Sequence, residues 1–365
     1  MLVYRFRALA YHAPLPRGDL DSYISQLRVG EAGELARELS KRREVWTVRA
    51  VSPPAREAAE ALGVSLEKYV EAFYEEARRT AGYVAFPLSS LEPSLLAELA
   101  ASYERAYFSA PYSTALENAI VEVLRKLPEE AGWVAGSRFA VAFGGAPVTA
   151  YFPATTSEGE GFTLSLLYPN HVAEELERGK SLLEALRSVA LEAYRLAHEA
   201  REAAGSSLKL LGIDLSLSPW ERESVAALLE KLLGLPLFSP GTQGVLHLVN
   251  TALSSTASTL EAVGFNEVML PLAEDARLKE LAAVGQLRLR DLVAATFTCV
   301  AGLDMVPIPS TAEDSILKGL MRDLAAAHAV KNRKLGMRLI LVDAEPGEEV
   351  DLGMFGKTPV LDPLQ

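Results

Sequence analysis

The sequence predicts an α/β protein built on buried, mostly parallel strands, and three alternations between residues 208 and 343 carry that prediction. Apolar runs at 208–215, 267–272 and 303–308 each end in polar residues and then give way to long amphipathic stretches. The polar ends are Ser216 and Ser218, Glu274 and Asp275, and Ser310 and Thr311. Runs without an alternating polar face fit strands covered by helices on both sides.

The rest of the chain extends the pattern. Leu2 to Tyr11 alternates as a strand does and is stopped by Pro14 and Pro16. Leu20 to Arg43 has helical spacing through Ile24, Leu27 and Leu35. Val45 to Val51 reads as a second strand, closed by Pro53 and Pro54. Helices are expected over 54–62 and 66–80, with Ser65 placed to cap the second. Gly82 to Pro87 is a short strand-type run. Pro93 to Tyr107 and Thr114 to Lys126 read as helices, the second opening with Thr114 and Glu117 at capping-box spacing.

Phe139 to Phe143 and Val148 to Phe152 read as strands around Gly144-Gly145, and Phe162 to Tyr168 as another. A long helical region then reaches Ala204, with Ser181 and Glu184 as a capping box in its middle. Ser218-Pro219-Trp220-Glu221 has the form of a helix start. Ser310 to Glu313 repeats that spacing for a helix ending near Val330. Gly336 to Val342 is a last buried strand, and the Gly-, Pro- and acid-rich tail 345–365 reads as ordered loop. The whole chain, 1–365, is expected to form a single domain.

Of 365 residues, 49% are hydrophobic and 23% charged, the balance of a water-soluble protein with a substantial core. The net charge of −12 argues against nucleic acid or an anionic membrane surface as partner, because phosphate binding relies on clustered Lys and Arg. Cys299 is the sole cysteine, which excludes an intramolecular disulfide and a Cys-based zinc site. The charged opening residues resemble no secretory signal, and no apolar run reaches the roughly 20 residues of a membrane span. A cytoplasmic location is expected.

In parallel α/β folds, loops and helix N-termini converge at the carboxyl ends of the strands, so ligands meet them there. Reading those ends gives Thr155, Thr156, His171, Asp214, Ser216, Glu274 and Asp275. The adjacent carboxylates Glu274 and Asp275 suit a hard cation such as Mg²⁺ or Ca²⁺, or acid–base work. They also suit, and more readily, the first turn of a helix, where the dipole favours negative charge. Asp214 interrupts an apolar strand and is either a site residue or a hydrogen-bond centre that fixes the fold. Ser239 to Gly244 opens a helix, so Thr242 and its neighbours offer N–H groups either to an anion or to a cap. Asp304 opens its strand and is expected at the opposite end from the site. Cys299, at the end of an apolar helix, reads as a quiet core residue.

Four segments also resemble a known family. They are Gly212-Ile-Asp-Leu-Ser-Leu-Ser-Pro219, Leu270-Pro-Leu-Ala-Glu-Asp275, Cys299-Val-Ala-Gly-Leu-Asp-Met-Val-Pro-Ile-Pro309 and Leu352-Gly-Met-Phe-Gly-Lys-Thr-Pro-Val360. In order and spacing they resemble the family catalogued as domain of unknown function 711, over most of the chain from about Phe139 onward. The resemblance implies a ten-stranded α/β barrel like that of pyruvate formate-lyase and its glycyl-radical relatives, with no established activity. The tail Gly353-Met-Phe-Gly-Lys departs from the Arg-Val-x-Gly-aromatic setting of a radical glycine, so the barrel is expected without that motif.

The function these observations favour is binding of a small polar metabolite at the strand ends. Asp214, Glu274 and Asp275 would be the catalytic carboxylates, and Thr155, Thr156, His171, Ser216 and Thr242 the substrate contacts. Glu274 and Asp275 would hold the metal if there is one. A non-catalytic metabolite sensor on an enzyme-like scaffold is the alternative, and fold does not choose between the two. The partner is a small molecule, with a homo-oligomer left open.

Overall fold

The computed structural model describes residues 4–298 and 301–365. Cys299 lies outside the described residues. Ten strands of the described chain form one sheet: β1 (Arg5–His12), β2 (Val45–Val51), β3 (Tyr83–Pro87), β4 (Ala106–Pro111), β5 (Phe139–Phe143), β6 (Gly161–Leu167), β7 (Leu210–Asp214), β8 (Met269–Pro271), β9 (Ala301–Pro309) and β10 (Leu335–Val342). Their spatial order is β7-β6-β1-β2-β3-β4-β5-β10-β9-β8.

Direction divides the sheet into two sets. Strands β1 to β5 are mutually parallel. Both junctions to the rest, β1 with β6 and β5 with β10, are antiparallel. Strand β7 is parallel to β6, and β9 and β8 continue parallel to β10. The runs expected as one sheet, 208–215, 267–272, 303–308 and 336–342, are therefore β7 to β10 of this sheet. The end of β7 and the segment after it also bond the segment leading into β8 and its first residue, with Met269 N donating to Leu217 O at 2.8 Å and Val263 N to Ile213 O at 3.2 Å.

The two faces of the sheet differ in side-chain size. One face carries Phe6, Leu9, Tyr11, Phe86 and Phe108, which join the main apolar core together with helical Tyr69, Phe73 and Leu186. The helices 66–77 and 182–203 bury an apolar stripe in that core, and the caps predicted for them, Ser65 and the Ser181–Glu184 box, are present. The other face carries small residues, Ala8, Ala10 and Ala85 in one cluster and Ala140 and Ala142 in another. Alanines there cannot fill the space between strands, and room for a cavity results.

Register breaks decide which side chains reach that space. Pairing of β1 with β6 slips between Phe6 and Ala8, and pairing of β10 with β9 slips between Met337 and Leu339. An extra residue in one strand re-aims the side chains beside it. Arg7 and Arg338 sit at these slips. On β9, Met305 has φ +56°, a left-handed backbone conformation uncommon outside glycine, next to Asp304.

Several local expectations are corrected. Ala106–Pro111 is a strand, where helix was expected to Tyr107; the helix stops at Ser102. Val148 to Phe152 is a run of bends, not a strand. Its polar groups bond elsewhere, with Tyr151 Oη donating to Leu166 O and Thr149 Oγ1 to Asp214. The long helical region is two helices, 169–177 and 182–203, so Ser181–Glu184 opens the second. Thr114 and Glu117 make no capping box: 114–116 is a 3-10 turn and Glu117 turns to Arg322 and Tyr112. Ser218-Pro219 opens no helix either, since Trp220 and Glu223 bridge to each other and Ser224 caps the helix 225–233. At 310–313 Arg125 satisfies the Ser310 and Ala312 carbonyls instead of a Ser cap. The tail is not all loop: Glu349–Asp351 and Lys357–Pro359 pair as an antiparallel hairpin.

Candidate functional site

A cavity of about 140 Å³ opens on the alanine-rich face of the sheet. Because the two strand sets run oppositely, its wall combines the amino-terminal parts of β1 to β4 (Arg7, Trp46, Tyr83, Tyr107) with Met269 and Pro271 of β8. Much of the wall is aromatic or sulfur-bearing, including Trp220, Phe265 and Phe355. Into this apolar setting β1, β2, β9 and β10 bring Arg7, Arg49, Asp304 and Arg338, and the turn after β8 brings Glu274.

Four of these charges form one chain of ion pairs. Arg7 Nη2 donates to Glu274 Oε2, and Arg338 Nη2 donates to Glu274 Oε1 at 2.9 Å. Arg338 then takes Asp304 with both forks, Nε to Oδ1 and Nη2 to Oδ2, the latter at 2.8 Å. All four residues are between 5% and 8% exposed. Charges removed from water to this degree are tolerated only when paired and hydrogen-bonded, and here each is. Arg7 also donates to Ser218 Oγ at 3.2 Å and lies 5.5 Å from the Trp220 ring centroid, a cation–π distance.

The chain of pairs sets the protonation states. Burial by itself pushes the Glu274 carboxyl up, and Arg7 and Arg338 together bring it below its ordinary value. Burial by itself pulls the Arg338 guanidinium down, and Asp304 and Glu274 more than reverse that. Glu274 is therefore an ionised carboxylate at neutral pH, suited to orienting arginines and unsuited to donating a proton.

Arg49 differs from the other two arginines. Its Nε donates to Thr47 Oγ1 at 3.0 Å and its Nη1 to Ala150 O at 2.9 Å. The Phe152 and Tyr83 ring centroids lie 5.0 and 5.9 Å from its guanidinium carbon. Among the described residues no carboxylate pairs with it. Burial lowers its pKa to about 10, and the neighbouring Arg7 adds to the shift.

Of the residues proposed from the sequence as catalytic, substrate or metal contacts, Glu274 alone lines this cavity. Its neighbour Asp275 faces away and joins two helix starts. Its Oδ2 accepts from Ala226 N at 3.0 Å, and its Oδ1 from Ser224 Oγ at 2.6 Å and Arg277 N at 2.9 Å. The adjacent carboxylates thus share no space for a cation. No group of three or more His, Cys, Asp or Glu among the described residues is arranged to hold a metal.

Asp214 is a fully buried hydrogen-bond centre. It accepts from Thr149 Oγ1 and Ser216 Oγ, each at 2.6 Å, and from the backbone N–H groups of Phe265 at 2.9 Å and Asn266 at 3.1 Å. Ser216 serves that centre, and Thr155 bonds back to Thr149 O at 2.7 Å. The Thr156 carbonyl accepts from His12 at 3.2 Å, Thr242 Oγ1 donates to Ser239 O at 2.8 Å, and His171 packs edge-on against Tyr4. The structure does not gather these residues into one site. Asp304, placed at the far end by the strand-end rule, lines the cavity instead, because it lies inside β9 rather than at its opening and pairs with Pro271 at the carboxyl end of the parallel strand β8.

Sequence reasoning missed Arg7, Arg49 and Arg338. The available signal was a cation inside each of three strand-type runs, in Arg5-Phe-Arg7, Thr47-Val-Arg49 and Met337-Arg338-Leu339.

A family model described as Uncharacterised ACR (DUF711) matches residues 114–353. The chain belongs to this family. The match takes in Glu274, Asp304 and Arg338, while Arg7, Trp46 and Arg49 precede it. Similar relatives carry the name UPF0210 protein. One from Lacticaseibacillus casei (strain BL23) is 30% identical over 190 residues, 50% of this chain and 41% of the relative. One from Methanopyrus kandleri is 36% identical over 159 residues, 41% of this chain and 34% of the relative. One from Pyrobaculum arsenaticum is 31% identical over 255 residues, 62% of this chain and 55% of the relative. The DUF711 chain thus spans about a third to just over half of the length of these relatives. Among its described residues no helix is long and apolar enough to cross a membrane.

Proposed function

We propose that this DUF711 chain is a cytosolic small-molecule-binding protein whose ligand sits in the cavity on the alanine-rich face. We read the sheet as a barrel, closed where the segment after β7 bonds the segment before β8. The observation that carries the binding reading is the buried ion-pair chain Arg7–Glu274–Arg338–Asp304 in a largely apolar wall. Apolar residues of similar volume would fill that wall with equal or greater stability, so four buried charges facing a cavity point to ligand recognition. The volume also fits: an apolar cavity of about 150 Å³ accepts a molecule the size of benzene. The net charge of −12 favours a small molecule over nucleic acid as partner.

Within this reading Glu274 and Asp304 orient arginines and take no part in proton transfer, and Asp214 and Asp275 support the scaffold. Mass spectrometry of the purified protein under native and then denaturing conditions tests the proposal. A small molecule should be retained at about one per chain and be lost from the Ala140→Leu variant, whose longer side chain enters the cavity. Equal retention by the variant would place the ligand elsewhere and end the proposal. Turnover of the released molecule by fresh protein would add catalysis to binding.

A further inference from the structure

We propose that Arg49 anchors the carboxylate of the ligand, and that the ligand is a small monoanionic acid with an aromatic or apolar body. This rests on the reading of the cavity as a binding site.

The donors of Arg49 are only partly used. Thr47 takes its Nε–H and Ala150 O one Nη1–H. The Nη2 group has no acceptor among the described residues, and a second Nη1 hydrogen remains. Phe152 and Tyr83 flank the guanidinium and hold its position. What remains for a ligand is the outer edge, the fork that receives a carboxylate through two parallel N–H···O bonds. Partial withdrawal of an unpaired cation from water disfavours the charged form, in line with the lowered pKa of Arg49, and an incoming anion relieves that cost.

Charge counting selects the ligand's charge. The cavity wall holds Arg7, Arg49 and Arg338 against Glu274 and Asp304, three positive charges against two negative, an excess of one. One carboxylate neutralises the wall, whereas a phosphate dianion would leave it negative. Tyr107 adds a donor. Its ring packs edge-on against Tyr83 at 5.5 Å and Phe152 at 5.7 Å, and its hydroxyl has no hydrogen-bond partner among the described residues. Burial, with Tyr83 beside it, raises its pKa, so at neutral pH it is a protonated donor in the cavity wall. Trp46, Phe265, Met269 and Met337 offer the apolar contact for the rest of the ligand.

Isothermal titration calorimetry with phenylacetate, its neutral counterpart phenylacetamide, and phenyl phosphate tests the assignment. Phenylacetate should bind at one site and at least tenfold more tightly than either of the others. Arg49→Met should bring phenylacetate down to the affinity of the amide. Arg49→Lys keeps the charge but not the fork and should lose at least threefold, which settles the matter even if Arg49→Met folds poorly. Amide binding equal to acid binding in the native chain, abolished by Ala140→Leu, would overturn the anchor and leave the cavity as a binding site. Tighter binding of phenyl phosphate would overturn the charge count. Binding of none of the probes would overturn the assignment, while the retained-ligand measurement decides the cavity separately.

Discussion

Asp304 and Arg338 stand on neighbouring parallel strands, and the carboxylate of one receives two N–H groups of the other inside the cavity. Removing Asp304 leaves Arg7 and Arg338 sharing the one carboxylate of Glu274, an uncompensated buried positive charge, which costs about 3–5 kcal/mol. Asp304→Ala should therefore lower unfolding stability by about that amount in urea titrations. The double variant Asp304→Ala with Arg338→Met should recover much of it. A loss in the double variant equal to the sum of the single losses would show that the two residues are not coupled.

Asp275 should behave as a scaffold residue. Its carboxylate serves the starts of helices 225–233 and 276–283, and these bonds disappear together in Asp275→Ala. The expected cost is about 3 kcal/mol, from charged hydrogen bonds and a lost cap. Phenylacetate affinity of the folded variant should be unchanged by calorimetry. A tenfold drop with full stability would return Asp275 to the ligand site.

Gly264 should tolerate no side chain. Its φ is +82°, and a Cβ there would collide with the Asp214 carboxylate. Gly264→Ala and Asp214→Asn should both destabilise the chain by about 3 kcal/mol or more, since the amide of Asn would set a donor against the N–H groups of Phe265 and Asn266. Thermal melts within a degree of the native protein would contradict the assignment of Asp214 as a structural centre.

Acid sensitivity should come in part from His12. The ring is fully buried between Thr163 Oγ1 at 2.8 Å and the Thr156 carbonyl at 3.2 Å, and burial lowers its pKa from 6.5 to about 3. The folded state then binds fewer protons than the unfolded state between those values. Its contribution is intact above pH 6.5 and is lost as pH falls toward 3. Between pH 7.5 and pH 5 this one group should remove about 2 kcal/mol. Urea titrations of His12→Gln at the two pH values should show a pH difference smaller by that amount. The same difference in both proteins would sink the assignment.

The strands were legible where flanking residues marked them. Val45–Val51 has a proline stop and Phe139–Phe143 is bounded by Arg138 and Gly144, and both have the bounds expected. Ala106–Pro111 was obscured because its Ala-Tyr-Phe run continues the apolar content of the preceding helix without a glycine between them. The relative direction of the two strand sets leaves no local trace, and the site depends on it. Once β6 to β10 run against β1 to β5, carboxyl ends of one set meet amino ends of the other. A rule based on carboxyl ends alone then finds Glu274 and misses Arg7, Trp46 and Tyr107. The register slips that re-aim Arg7 and Asp304 are properties of strand pairing, so no single run reveals them.

An acid held against Arg49 inside the cavity can be seen directly. A crystal of the protein soaked with 4-bromophenylacetate, with data collected at the bromine edge, tests this most directly. One strong bromine peak is expected inside the cavity among Trp46, Phe265 and Met269, with the carboxylate on the Arg49 fork and within reach of the Tyr107 hydroxyl. A bromine peak outside the cavity, or an empty cavity at saturating ligand, would contradict this placement.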